Sequence, residues 1–167
     1  VIGSGRYSTI NKVCCGDNCN FALKRNRPYE TNNLQNEATV QIKCANAGLC
    51  PKVYYSSDDE FIMDKMDFPV YELFRQYQDP TVNELIVKSV FDLVDQLHQI
   101  DLIHGDLHLG NIMVKDQNPN VDPYQTLLEI ERYNQHDYRY YFIDLSGIDL
   151  SGIDLPSTNT VDSELIG

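Results

Sequence analysis

Hydrophobic positions along this chain follow two periods. Residues 9–15 and 19–25 read as two strands around Gly16-Asp17-Asn18, the second alternating apolar with polar positions over part of its length. Period-two alternation broken by such a turn predicts a hairpin of half-buried strands. Asn20-Phe21-Ala22-Leu23-Lys24 is its clearest stretch. Over 31–47 the period changes. Leu34, Ala38, Ile42 and Ala45 recur every three or four positions, which predicts one helix face. Thr31 or Asn32 is placed to cap its start and Gly48 to stop its end. Lys52–Tyr55 and Glu60–Met63 read as a second hairpin across Ser56-Ser57-Asp58-Asp59, and 64–69, with Pro69, as a short connection. Val82, Ile86, Val90, Val94 and Leu97 then line a long amphipathic helix ending near Ile100. Ile112-Met113-Val114 and Tyr140-Tyr141-Phe142-Ile143 read as strands. Between them, 115–136 is polar, with Pro119 and Pro123, and reads as a surface excursion.

This order predicts an α+β chain with a five-strand, one-helix unit at 1–66 and a mainly helical unit at 67–167. A length of 167 residues suits two small lobes sharing a cleft. The chain starts at Val1-Ile2 without an initiator Met, as an excerpt of a longer product would. Asp-Leu-Ser-Gly-Ile occurs at 144–148 and again at 149–153, with a third Asp-Leu at 154–155; a turn-sized unit repeated so few times builds no core.

Charge and cysteines narrow the class. The formal net charge of -12 argues against a nucleic-acid grip, which needs a basic stripe. No apolar run is long enough for a transmembrane helix, so no membrane partner is expected. Cys14, Cys15, Cys19, Cys44 and Cys50 make an odd count without secretory context, which predicts reduced thiols in an intracellular protein; Cys14, Cys15 and Cys19 flank Gly16-Asp17-Asn18 as facing positions on a hairpin, packed in its strands. Neither a CxxC pair nor a suitably spaced His partner supports zinc.

The most informative segment is His104-Gly105-Asp106-Leu107-His108-Leu109-Gly110-Asn111, a loop between the long helix and a strand. It sets Asp106, a carboxylate able to orient a hydroxyl, five residues from Asn111, an amide oxygen able to hold a metal. Three further features carry chemistry. Gly3, Gly5 and Ser8 form a GxGxxS turn, whose glycines let backbone approach phosphate oxygens. Lys24 ends a strand, where it suits a phosphate as a point charge, and Glu37 on the next helix, with Glu30 as rival, is placed to hold it. Asp144 closes a buried strand, where a carboxylate needs a counter-charge that magnesium supplies.

Each feature alone has a structural reading: a hairpin turn, a solvated lysine, a capping aspartate. Asp149 and Asp154 share the Ile-Asp-Leu context of Asp144. His104 and His108 suit hydrogen bonds within the loop better than catalysis. The order of five features, glycine turn, strand lysine, helix glutamate, Asp-x4-Asn loop and strand-end aspartate, carries the argument.

On these residues the chain resembles the protein-kinase-like superfamily over roughly 1–150. Gly3, Gly5 and Ser8 match its glycine-rich loop, Ala22-Leu23-Lys24 its lysine strand and Glu37 its paired helix glutamate. His104-Gly105-Asp106 with Asn111 matches its catalytic loop, and Asp144-Leu145-Ser146 its metal-binding turn. Asn36-Glu37-Ala38 and Ala47-Gly48-Leu49-Cys50-Pro51-Lys52-Val53-Tyr54 are similar to segments of RIO kinases and of the small kinase of the tRNA threonylcarbamoyl-modification complex. The HGDLHLGN loop is close to that of aminoglycoside phosphotransferases. His108 stands where protein kinases carry a lysine, Asn111 and Asp144 lie unusually far apart, and set against that family the resemblance implies a truncated second lobe.

The resemblance implies a two-lobed kinase-like fold with a five-stranded antiparallel sheet and one helix in its first lobe. It implies ATP and Mg2+ as cofactors. Ile2, Ile10, Ala22 and Met113 would sandwich the base, and the backbone at Asp64–Met66 would read its edge. Gly3, Gly5 and Ser8 would cover the phosphates, and Lys24, braced by Glu37, would hold them. Asn111 and Asp144 would hold magnesium, and Asp106 would orient the acceptor hydroxyl. The favoured expectation is a cytoplasmic protein serine/threonine kinase, whose Asn- and Tyr-rich composition suits a viral or intracellular-parasite genome. A small-molecule kinase of the aminoglycoside or choline type and a non-catalytic binding module stay open.

Overall fold

The computed structural model describes residues 2–4, 8–30 and 33–145. Gly5, the expected caps Thr31 and Asn32, and the repeat from Ser146 onward lie outside the described residues. Five strands form one antiparallel sheet: β1 (Gly3–Ser4), β2 (Ser8–Cys15), β3 (Asn18–Asn26), β4 (Val53–Ser56) and β5 (Glu60–Asp64), in the order β1-β2-β3-β5-β4. Ile10 pairs with Lys24, and Lys24 with Phe61; Ala22 pairs with Met63. Directly opposed residues share a face, as do residues two apart, so these five side chains lie on one side of the sheet.

Helix α1 (Leu34–Asn46) packs on that side, burying Leu34, Ala38 and Ile42 against Ala22, Phe61 and Met63. Its cap is Asn33, whose side chain accepts from the Gln35 N–H at 2.9 Å. Gly48 ends the turn after it at φ +77°, a conformation that costs a residue with a side chain more.

Past the connection, β6 (Phe68–Pro69), β7 (Ile112–Asp116) and β8 (Tyr138–Phe142) form a second antiparallel sheet, ordered β6-β7-β8. The expected short connection therefore donates a strand. Helices α2 (Tyr71–Gln76) and α3 (Pro80–Gln99) also belong to this half. Asp79 caps α3, accepting from Thr81 and Val82, with Pro80 at its first position. Val82, Ile86, Leu93 and Leu97 of α3 are buried against β7, β8 and Tyr77. The polar excursion contains helix α4 (Glu129–Gln135), with Ile130 and Tyr133 packed against that core. The larger core draws on both sides of residue 66: Val40, Cys44, Leu49 and Cys50 pack with Phe142 and Leu145. No helix among the described residues is long and apolar enough to cross a membrane.

The cysteines differ from expectation. Cys14–Cys19 and Cys44–Cys50 are disulfides, with Cα separations of 4.0 and 5.3 Å, and Cys15 is an exposed thiol. The reason is geometric. The hairpin around Gly16 brings residues 14 and 19 face to face, and the chain reversal at Gly48 returns residue 50 to the end of α1. The hairpin placement of Cys14 and Cys19 is as expected from sequence, whereas the meeting of Cys44 and Cys50 depends on the chain reversal.

Candidate functional site

A cleft of about 490 Å³, within the usual range for small-molecule sites, lies between the first sheet, β7 and the segment after β8. Lys24 sits on its floor because β3 alternates: Phe21 and Leu23 point to the other face, and Ala22 and Lys24 point in. Lys24 is 6% exposed. Its Nζ donates to Glu37 Oε2 at 2.6 Å and Oε1 at 2.9 Å. It also meets Asp144 Oδ1 at 3.6 Å. Glu37, in the first turn of α1, is 4% exposed. Burial pushes its carboxyl above the ordinary carboxylate range; Lys24 pulls it back down, and the Asp144 charge adds a smaller upward push. A single buried cation is thus shared between a tightly held carboxylate and a looser one.

The opposite flank is built by backbone bonds. Leu102 and His104, both buried, anchor the loop after α3. His104 Nδ1 accepts from the Asp106 N–H at 3.3 Å, which leaves Nε2 to donate to the Ile143 carbonyl at 2.7 Å. Gly105 turns the loop at φ +83°. Asn111 Nδ2 donates to the Asp106 carbonyl at 2.9 Å, and the Asn111 carbonyl accepts from the Ile143 N–H at 3.0 Å. Asp106 is held through its backbone on both sides while its side chain is exposed. His108 Nδ1 accepts from the Gly110 N–H at 3.1 Å. Asp144, one residue past the stitch, adopts φ +61°, a left-handed conformation that Asp tolerates better than most residues.

Most residues singled out in the sequence reach this cleft. Ile2, Gly3, Ser8 and Ile10 line it from the first hairpin, Ala22 and Lys24 from β3, and Glu37 from α1. Asp64 and Met66 line it from the connection, and Asn111, Met113 and Asp144 from the far side. Asp106 is not among the lining residues, although its loop neighbours His108, Gly110 and Asn111 are. Gln41, Phe61, Met63 and Tyr71 also line the cleft and were not singled out. Gln41 lies one helical turn beyond Glu37, and Phe61 and Met63 share the alternation of β5, so periodicity could have found these three.

The donors fit a hard cation. Asn111 spends its amide nitrogen on Asp106, leaving its oxygen as the acceptor, and Asp144 supplies a carboxylate. Among the described residues no group of three or more His, Cys, Asp or Glu could enclose a metal. Such a sparse oxygen set suits magnesium, which commonly takes one or two protein carboxylates and completes its shell with phosphates and water.

No family model matches the chain. A probable bifunctional tRNA threonylcarbamoyladenosine biosynthesis protein of Methanosphaera stadtmanae is 29% identical over 102 residues, 56% of this chain and 18% of that protein. The crystal structure of the Rio2 kinase-ADP/Mg2+-phosphoaspartate complex from Chaetomium thermophilum superposes with a TM-score of 0.61 at 17% identity, covering 98% of this chain and 51% of that one. The chain therefore spans about half the length of that kinase and a smaller part of the tRNA-modification protein. Its fold is the compact, atypical protein-kinase-like one.

Proposed function

We propose that this chain is an ATP-dependent phosphotransferase that moves the γ-phosphate of Mg-ATP to a hydroxyl, with a protein serine or threonine as the favoured acceptor. The observation that carries this reading is Lys24, held between Glu37 and Asp144 on the floor of a nucleotide-sized cleft. Residues 1–66 act as the nucleotide lobe and 67–167 contribute the catalytic lobe. Ile2, Ile10, Ala22 and Met113 flank the base, and the backbone of Asp64–Met66 meets its edge. Gly3 and Ser8, which line the cleft, would cover the phosphates, and Lys24 would neutralise them. Asn111 and Asp144 would hold Mg2+, which would neutralise charge on the phosphate oxygens. Asp106 orients the acceptor hydroxyl and takes its proton. Positioning and electrostatics supply the rate. The Rio2 kinase neighbour was crystallised with ADP and Mg2+, which supports the same cofactors here.

The net charge of -12 favours a basic acceptor protein and disfavours a nucleic-acid partner. The HGDLHLGN loop favours a second reading, transfer to a small hydroxylated molecule. Incubation with Mg2+ and γ-labelled ATP, offering a basic protein and a panel of hydroxylated metabolites, tests both. Label on protein Ser or Thr supports the first reading and label on a metabolite the second. Nucleotide binding without transfer to any acceptor supports a binding module.

A further inference from the structure

The buried disulfide Cys44–Cys50 lies at a junction from which both carboxylates around Lys24 are held. Cys44 follows Glu37 by seven residues, nearly two full helical turns, so both lie on the same stripe of α1. Gln41 lies between them. This stripe is fastened at three heights: Glu37 to Lys24, Gln41 Nε2 to the Pro51 carbonyl at 2.9 Å, and Cys44 to Cys50. The same short segment reaches the other carboxylate. The Leu49 N–H donates to the Cys44 carbonyl at 3.1 Å, and the Leu49 carbonyl accepts from the Phe142 N–H at 2.8 Å. Phe142 ends β8 two residues before Asp144. A circuit therefore runs from Lys24 through Glu37, α1, the cross-link, Leu49 and Phe142 to Asp144, and back to Lys24. Cys44 and Cys50 are 0% and 3% exposed, inside the core cluster that also holds Phe142 and Leu145.

We propose that Cys44 and Cys50 are positioning residues whose cross-link sets Glu37 and Asp144 together, making the cleft redox-sensitive. This rests on the kinase reading only for what the cleft binds. A dithiol reductant opens the link by thiolate attack on one sulfur, giving a mixed disulfide. Its second thiol then displaces the protein sulfur. Cys44 and Cys50 finish as thiols and the reductant as a cyclic disulfide. Because both sulfurs are buried, attack requires local opening of the junction, and a ligand that bridges Lys24 and Asp144 must oppose that opening.

The test uses the full chain with Cys14, Cys15 and Cys19 changed to Ser, so that only this link responds. Alkylation of the denatured, unreduced protein should leave Cys44 and Cys50 unlabelled; labelling of both overturns the proposal. Adding dithiothreitol should speed amide hydrogen exchange about tenfold in residues 34–41 and 138–142, with α3 unchanged. Unaltered exchange, or an equal rise in α3, overturns the proposal, because a merely structural cross-link would loosen the fold throughout. Reduction should weaken Mg-ATP binding about tenfold, and by linkage Mg-ATP should slow reduction. If exchange responds as expected but neither redox form binds ATP, positioning stands and the kinase reading fails. Binding of equal strength in both forms overturns the positioning claim alone. Cys44→Ala/Cys50→Ala in the same background should match the reduced form and ignore the dithiol; a response to it would contradict the assignment.

Discussion

The two flanks of the cleft are built by opposite means. On one, Lys24 and Glu37 are 6% and 4% exposed and hold each other through side chains in the core. On the other, the Asp106 side chain stands in solvent and its backbone is pinned by His104 and Asn111. The first flank couples charge to folding. The second separates them, since its carboxylate carries little of the packing. A substitution on one side should therefore disturb stability and binding together, whereas on the other it should reach only the chemistry.

The sharpest break should come from Asp106→Asn and Asp144→Asn. Each should lower transfer by about 10²–10⁴-fold, the span typical of a positioned acid–base group, while the unfolding free energy changes by no more than about 0.5 kcal/mol for the exposed Asp106. Asparagine also tolerates the left-handed backbone of Asp144. Radiolabel transfer alongside urea denaturation checks both, and wild-type rates would remove these residues from the mechanism. Lys24→Met should instead destabilise the protein by about 3–5 kcal/mol, because it strands a buried carboxylate. Adding Glu37→Leu should restore most of that stability without restoring ATP binding. If the double variant is as unstable as the single, the charge pair does not explain the loss.

A smaller effect concerns pH. Burial raises the Glu37 pKa above its ordinary 4.5, so the folded state holds this proton more tightly than the unfolded one. Its contribution to stability is full below 4.5 and is lost as pH rises through the raised value. Relative to Glu37→Gln, the wild type should lose stability with rising pH across that window. Parallel denaturation curves from acid to neutral pH would contradict the shift. The least effect is expected at Gly110, where an added Cβ would come within 2.9 Å of the His108 ring. That exposed ring can swing aside and forfeit its bond from Gly110, so Gly110→Ala should cost about 1 kcal/mol and reduce transfer less than Asp106→Asn. Unfolding and transfer measured together place it in the series.

Much of the fold was legible because period is a local property. Lys24 and Ala22 share a face by the alternation of β3, and Leu34, Ala38 and Ile42 share one by the helical repeat of α1. The candidate site was legible as an order of residue types, and the structure brings Lys24, Glu37, Asn111 and Asp144 to one cleft. What escaped was set by tertiary contact. Cys44 and Cys50 meet only because the chain reverses at Gly48. Phe68 and Pro69 become a strand only because β7 lies beside them. Helix α4 sits in a polar segment whose few apolar residues matter only where Ile130 and Tyr133 touch the core. The exposure of the Asp106 side chain is likewise invisible in a motif, which fixes spacing and leaves orientation open.

The most direct measurement is a calorimetric titration of the full chain with ATP, with and without magnesium, repeated for Asp144→Asn. The wild type should bind saturably with an affinity that magnesium strengthens, and the Asp144→Asn variant should lose the magnesium effect. No binding, or an affinity indifferent both to magnesium and to Asp144, would contradict the proposed function.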